Sequence, residues 1–154
     1  MLRFTRNTVI AFDFKDALSF EGETGPYVQY AIVRAANIFR KANTTEAESL
    51  AAVANLDLSN LLDTEEGSSL WETWLLASKL TLLIEQCIAT AEPAYLAKYA
   101  FQLAQQFNNF YHRHHVLNET DPTRKALLLA TAAVAQREMT RALGYLGIEA
   151  PPVM

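Results

Sequence analysis

The sequence has 154 residues, 51% of them apolar, and a formal charge of −4. That length and apolar fraction suit one compact domain with a real core and argue against disorder. With 13 Lys and Arg against 17 Asp and Glu, the chain is not a nucleic-acid binder that works by bulk attraction, so any RNA contact has to come from a local patch.

The charge is unevenly spread. Glu21, Glu23, Glu46, Glu48, Asp57, Asp63, Glu65 and Glu66 make the first half acidic. Beyond Ala91 the cations Lys98, Arg113, Arg124, Lys125, Arg137 and Arg141 roughly balance the anions. Cys87 is the single cysteine; it precludes an intrachain disulfide and reads as a small hydrophobe on a helical stripe. No apolar run approaches the length of a membrane span, and the N-terminus does not read as a secretory signal.

Thr8–Phe14 is β-branched and aromatic, which predicts a short strand or extended lead-in. A turn-rich stretch, Ser19–Gly25, follows. Pro26 is then placed for a first helical turn, with Thr24 as its cap. Tyr27, Tyr30, Ile32, Val33, Ile38 and Phe39 recur at helical spacing, so a first helix is expected to about Ala42. Arg40 and Lys41 suit its C-terminal dipole. Thr45 opens a second helix, broken near Asp57–Asn60.

Glu65 and Glu66 lead a third helix through Leu70, Trp74, Leu75, Leu80, Leu83, Ile84 and Ile88, whose wide apolar face predicts a place at the bundle centre. Glu92-Pro93 opens a fourth, striped by Leu96, Tyr99, Ala100, Leu103, Phe107 and Phe110. Asp121-Pro122 opens a fifth, stopped by Gly147. The expectation is an all-α, helical bundle of about five helices with a short extended N-terminal segment: residues 1–25 as lead-in and loop, residues 26–154 as the helical domain.

Much chemistry is missing. There is no Gly-rich phosphate loop, no nucleophile elbow and no Cys/His pair. Glu65 and Glu66 are adjacent and read as a solvated first turn. His112, His114 and His115 surround Arg113. Spacings of two and three residues do not converge on one helical face, so a zinc site is not expected; a helix-end cation cluster meeting a dipole or an anion fits better.

The segment Phe20-Glu21-Gly22-Glu23-Thr24-Gly25-Pro26-Tyr27-Val28-Gln29-Tyr30-Ala31, with Arg34 following, resembles the stretch that leads into the C-terminal anticodon-binding domain of the arginyl-tRNA synthetase family. Ala104-Gln105-Gln106-Phe107-Asn108-Asn109-Phe110-Tyr111 is similar to the family's Ala-x-x-Phe-Asn-x-Phe-Tyr stretch. Leu146-Gly147-Ile148-Glu149-Ala150-Pro151, with Met154 last, is similar to its usual ending. The catalytic motifs of such synthetases, of the His-x-Gly-His and Lys-Met-Ser-Lys-Ser type, do not occur in this sequence.

The resemblance implies an RNA-binding site made of Phe20, Glu21, Gly22, Thr24, Tyr27, Tyr30, Arg34, Tyr111, His115 and Met154. The loop Phe20–Gly25 would pack around the anticodon loop. Tyr27, Tyr30 and Tyr111 would meet splayed bases, Arg34 a phosphate or a base edge, and Met154 the same pocket. Sequence-specific RNA readers stack unpaired loop bases on aromatics and read their edges, each stack contributing about 1–3 kcal/mol. Three positions depart from the family pattern: Ile32 replaces a polar residue, His115 stands where some members have Trp, and Val153 stands where Arg is usual.

A plain packing role is open to each position as well. Phe107 and Phe110 read as core under either view, and Trp71 and Trp74 as packing for the third helix. The function implied is recognition of the anticodon region of arginine tRNA, in support of ATP-dependent arginylation by a catalytic domain outside this chain, present in cis or in trans. The chain itself would need no cofactor, ATP and arginine belonging to the catalytic domain. It would be inactive alone, work in the cytoplasm, and bind neither membrane nor DNA. The alternative is a helical protein-interaction module of the same fold that does not bind tRNA.

Overall fold

The computed structural model describes residues 4–5, 7–9, 14, 23–59 and 64–154. The extended segment expected over Thr8–Phe14 lies mostly outside the described residues, as do Phe20, Glu21 and Gly22.

Helix starts follow the capping residues. Thr24 Oγ1 accepts from the Tyr27 amide at 3.4 Å and Pro26 occupies the first turn of α1, Gly25–Ala42; this removes an orphan donor and pre-sets φ. Asn43 closes α1 in the left-handed region at φ 53, a conformation asparagine tolerates. In α2, Glu46–Val53, Thr45 and Glu48 form a reciprocal capping box, with the Thr45 amide donating to Glu48 at 2.8 Å. Thr64 caps α3, Glu65–Ala77, by accepting from the Gly67 amide at 2.9 Å.

Helix α4 spans Leu80–Thr90 and α5 spans Ala94–Arg113, followed by a 3-10 turn at Val116–Asn118. Asp121 caps α6, Pro122–Tyr145, by accepting from the Arg124 amide at 2.6 Å. Gly147, at φ 71, ends it in a conformation that favours glycine.

The fold is all-α, as the sequence predicts. The expected third helix is divided, however. At Ser78 the hydroxyl donates to the Leu75 carbonyl at 2.8 Å, and the Lys79 amide reaches back only three residues, to Leu76, at 3.2 Å. The side chain thus competes for a helical acceptor and the turn tightens. The backbone at Ser78 stays right-handed, so α3 and α4 follow one another without a reversal. Taken together as the one expected segment, they make α1 to α6 five helical units.

Position in the bundle also differs from the expectation. The centre belongs to α6, which packs against α1, α2, α3 and α5, and to α5, which packs against α1, α3, α4 and α6. Ala130, Ala132, Ala133, Ala135 and Ala142 of α6 are fully buried. Their small side chains let neighbouring backbones approach from several directions, and a helix covered on many sides shows little amphipathic contrast. By contrast α4 buries only Leu80 among its eleven residues, while Leu82 and Ile88 are exposed. The wide apolar face of the α3–α4 segment therefore lies at the edge. Trp74 joins the core region through its indole N–H, which donates to Thr131 Oγ1 at 2.9 Å.

Candidate RNA-binding site

Two helices bring the candidate residues together. Tyr27 of α1 packs its ring on Phe101 of α5, with centroids 5.1 Å apart, and seven residues later Arg34 bonds Asn108, also seven residues further along α5. Equal steps in the same direction mean that α1 and α5 run parallel here. Their shared seam puts Tyr30 and Arg34, one turn apart on α1, opposite Asn108 and Tyr111, which lie on one face of α5.

The Arg34 guanidinium carbon lies 4.7 Å from the Tyr30 ring centroid and 4.7 Å from that of Tyr111. Both distances are within cation–π range. Arg34 Nη1 donates to Asn108 Oδ1 at 2.8 Å and Nη2 donates to the Tyr30 hydroxyl at 3.2 Å. Every one of these partners is neutral. Tyr30 and Tyr111 remain 46% and 38% exposed, so both rings keep surface for a further planar group. Phe107, fully buried, lies one turn back on α5 with its centroid 6.4 Å from Tyr111, and so carries the exposed ring on the core.

The other sequence-predicted residues divide. Tyr27 is half-buried and engaged with Phe101, so the face it nominally shares with Tyr30 is split between core and surface. Thr24 is the α1 cap. His115 and Met154 are exposed, and neither enters the Tyr30–Arg34–Tyr111 contacts. The C-terminal tail returns beside α1, where Gln29 Nε2 donates to the Glu149 carbonyl at 2.6 Å and Ile148 packs on the core. Ile32 is buried in the core cluster, so its departure from the family pattern falls inside the bundle and leaves the Arg34 surface as it is. Val153 is exposed. The residue that the sequence leaves without a role is Asn108: it stands in the Phe-Asn-x-Phe-Tyr stretch, and its polarity next to Phe107 in an apolar stripe was the available signal.

The histidine cluster is pulled apart by packing. His114 is buried and its Nδ1 donates to Glu66 Oε1 at 2.8 Å, tying the end of α5 to the start of α3. Arg124, at the start of α6, bonds the same Glu66 oxygen and reaches Glu119 Oε2 at 2.9 Å. His112 and His115 face solvent, and Arg113 donates to Ser69 Oγ at 3.0 Å. Among the described residues no group of three or more His, Cys, Asp or Glu gathers as a metal set.

Burial is the main reason the His114 pKa is lowered; Arg124 and Arg113 push the same way, while Glu66 opposes them. Its Nε2 has no hydrogen-bond partner among the described residues, so a second proton there would be buried and unmet. A histidine whose folded pKa is depressed contributes stability above its unfolded pKa and loses it as pH falls through that value towards the folded one. The denaturation midpoint is therefore expected to drop between about pH 7.5 and 5.5, around the ordinary histidine value. A His114→Gln variant should show a flatter profile; equal slopes in both proteins would contradict the assignment.

Three further arginines bond carboxylates. Arg124 meets Glu66 and Glu119, as above. Arg137 Nε and Arg141 Nη1 each donate to buried Glu138 at 2.8 Å, beside a cleft lined by Leu50, Val53, Trp74 and Val134. Arg34 instead bonds only neutral groups among the described residues, as Arg113 does through Ser69, and it alone of the two is held between two rings.

Residues 28–154 match the DALR anticodon binding domain family. An arginine–tRNA ligase of Pyrococcus abyssi is 38% identical over 154 residues, covering 100% of this chain and 23% of the ligase. One of Streptococcus equi is 41% identical over 146 residues, covering 93% of this chain and 23% of that ligase. The chain thus spans about a quarter of the length of these relatives. The structure of the Thermus thermophilus arginyl-tRNA synthetase superposes with a TM-score of 0.71 at 31% identity, over 93% of this chain and 23% of that one. A Campylobacter jejuni structure 21% identical shares the fold at a TM-score of 0.80, over 99% of this chain and 32% of its own. By these matches the chain belongs to the DALR anticodon-binding domain family, in the form that arginyl-tRNA synthetases carry.

Proposed function

We propose that this domain binds arginine tRNA at its anticodon loop, with Tyr30, Arg34 and Tyr111 as the centre of the contact. The carrying observation is an uncompensated guanidinium held between neutral groups beside two part-exposed tyrosine rings. Aromatic rings take unstacked bases whatever their identity, and a fixed cation beside them meets the backbone that links those bases. The proposed contact also includes Thr24, Tyr27, His115 and Met154, and it extends to Phe20, Glu21 and Gly22, which lie outside the described residues. Binding would orient the acceptor end of the tRNA towards a synthetase catalytic domain. ATP and arginine would be handled there, in the cytoplasm, and this domain would need no cofactor. No described helix is long and apolar enough to cross a membrane.

A titration of the domain with arginine tRNA and with a non-cognate tRNA, at two salt concentrations, tests the reading. Preferential binding of the arginine tRNA with a shallow salt dependence is expected, because the proposed centre places one cation, Arg34, beside its two rings. Equal binding of the two tRNAs, or a steep salt slope, would sink it. One observation favours a second reading, a protein-interaction module: Trp71, Leu75, Leu82 and Ile88 are 51%, 46%, 64% and 76% exposed along α3 and α4. Large exposed apolar surface marks contact sites, and the absence of any tRNA binding would leave that reading in place.

A further inference from the structure

We propose that Asn108 is a positioning residue that holds the Arg34 guanidinium for an RNA phosphate while leaving its full charge unspent. This role rests on the RNA-binding reading and deepens it. Asn108 is only 8% exposed, and its Oδ1 accepts from Arg34 Nη1 at 2.8 Å across the α1–α5 seam. An amide oxygen supplies direction to a guanidinium without cancelling its charge, whereas a carboxylate in the same place supplies both. The contrast within this chain is direct. Arg124 is fixed by two glutamates, and Arg137 and Arg141 share a third, so each of the three is held by a charged partner. Arg34 is held by Asn108, the Tyr30 hydroxyl and two rings, none of them charged.

A guanidinium so held has lost its rotamer freedom before the ligand arrives, so less entropy is forfeited on binding. A base edge needs a donor pattern matched to its acceptors and is largely indifferent to net charge; a phosphate needs the charge. The neutral cradle therefore points to a phosphate as the ligand of Arg34, with the bases left to the exposed tyrosine rings.

The substitution Asn108→Asp separates charge from position. It changes an amide to a carboxylate of nearly the same shape at hydrogen-bond distance from Arg34, so helix content should persist. Binding of an arginine tRNA transcript should weaken about tenfold, the worth of one charge-assisted contact. The slope of log affinity against log salt should become shallower by roughly 0.7 to 0.9, one released counterion. Asn108→Ala removes direction but keeps the charge; a smaller loss of affinity with an unchanged slope is expected, and this variant also serves if the aspartate protein does not fold. In an Arg34→Gln background, Asn108→Asp should alter neither quantity further.

Wild-type binding with an Asn108→Asp variant of equal affinity and slope overturns the positioning role and leaves the RNA reading standing. The positioning role fails in the same way if Asn108→Ala changes the slope as Arg34→Gln does. A wild-type domain that binds neither the arginine transcript nor an unrelated single-stranded RNA overturns both.

Discussion

Replacing Tyr111 by alanine is expected to weaken binding of arginine tRNA by about 1–3 kcal/mol, roughly 5- to 150-fold. Two contributions add. The variant removes one of the two rings 4.7 Å from the Arg34 guanidinium, and it removes the part-exposed surface on which a base can stack. Folding should hardly notice. A surface cation–π contact is worth about 0.5–1 kcal/mol, and Asn108 with Tyr30 still holds Arg34. Circular dichroism and a denaturant titration would be run beside the binding assay. Loss of helix content in Tyr111→Ala would mean that the ring serves the core, and the site assignment would fail with it.

Phe107→Ala is expected to act in the opposite sense, with a loss of about 3–5 kcal/mol in stability. Phe107 is fully buried one turn before Tyr111, with its ring centroid 6.0 Å from that of Phe110, in the cluster that joins α1, α5 and α6. Its truncation leaves a cavity that flanking helices can only partly close, and for a domain whose total stability is about 5–15 kcal/mol the fraction lost is large. The denaturant midpoint should fall steeply with little change in slope. A loss below about 1 kcal/mol would mean that the α1–α5 seam is loosely packed, and the fixed geometry argued for Arg34 would have no support beneath it. The two substitutions, four residues apart on one helix, thus separate binding from folding.

Helix starts were legible because they are local. Thr24 before Gly25-Pro26, the Thr45–Glu48 box and Asp121-Pro122 each satisfy orphan amides by hydrogen bonds within three residues. Gly147 was legible for the same reason. The interruption at Ser78 was not. No Gly or Pro marks it, and it depends on which of two acceptors a hydroxyl chooses.

Rank in the bundle was not legible, for a physical reason. Breadth of the apolar face points to α3–α4 as central, yet burial depends on how closely neighbours approach. The alanines of α6 decide that, although alanine contributes little to any periodic signal.

The site was half legible. Tyr30 and Arg34 lie one turn apart on a helix, a relation that spacing alone reveals. Their meeting with Tyr111 and Asn108 is tertiary, more than seventy positions away, and in the sequence only family resemblance hints at it. Spacing also places Tyr27 with Tyr30, and the structure separates them, because Phe101 offers Tyr27 an apolar partner. The three histidines look like one group in the chain. Packing turns His114 inward to Glu66 and leaves its neighbours in water, a division that depends on where α3 and α6 begin.

If a local, aromatic and singly charged surface reads an anticodon, the anticodon itself must matter to binding. The most direct measurement compares the affinity of this domain for an arginine tRNA with its affinity for the same tRNA changed only at the middle anticodon base. A clear loss of binding on that single change is expected, with the salt slope nearly unaltered because the phosphates are untouched. Equal affinity for the two transcripts would contradict the anticodon-reading role, placing any RNA contact elsewhere and leaving Tyr30 and Tyr111 without the part assigned to them.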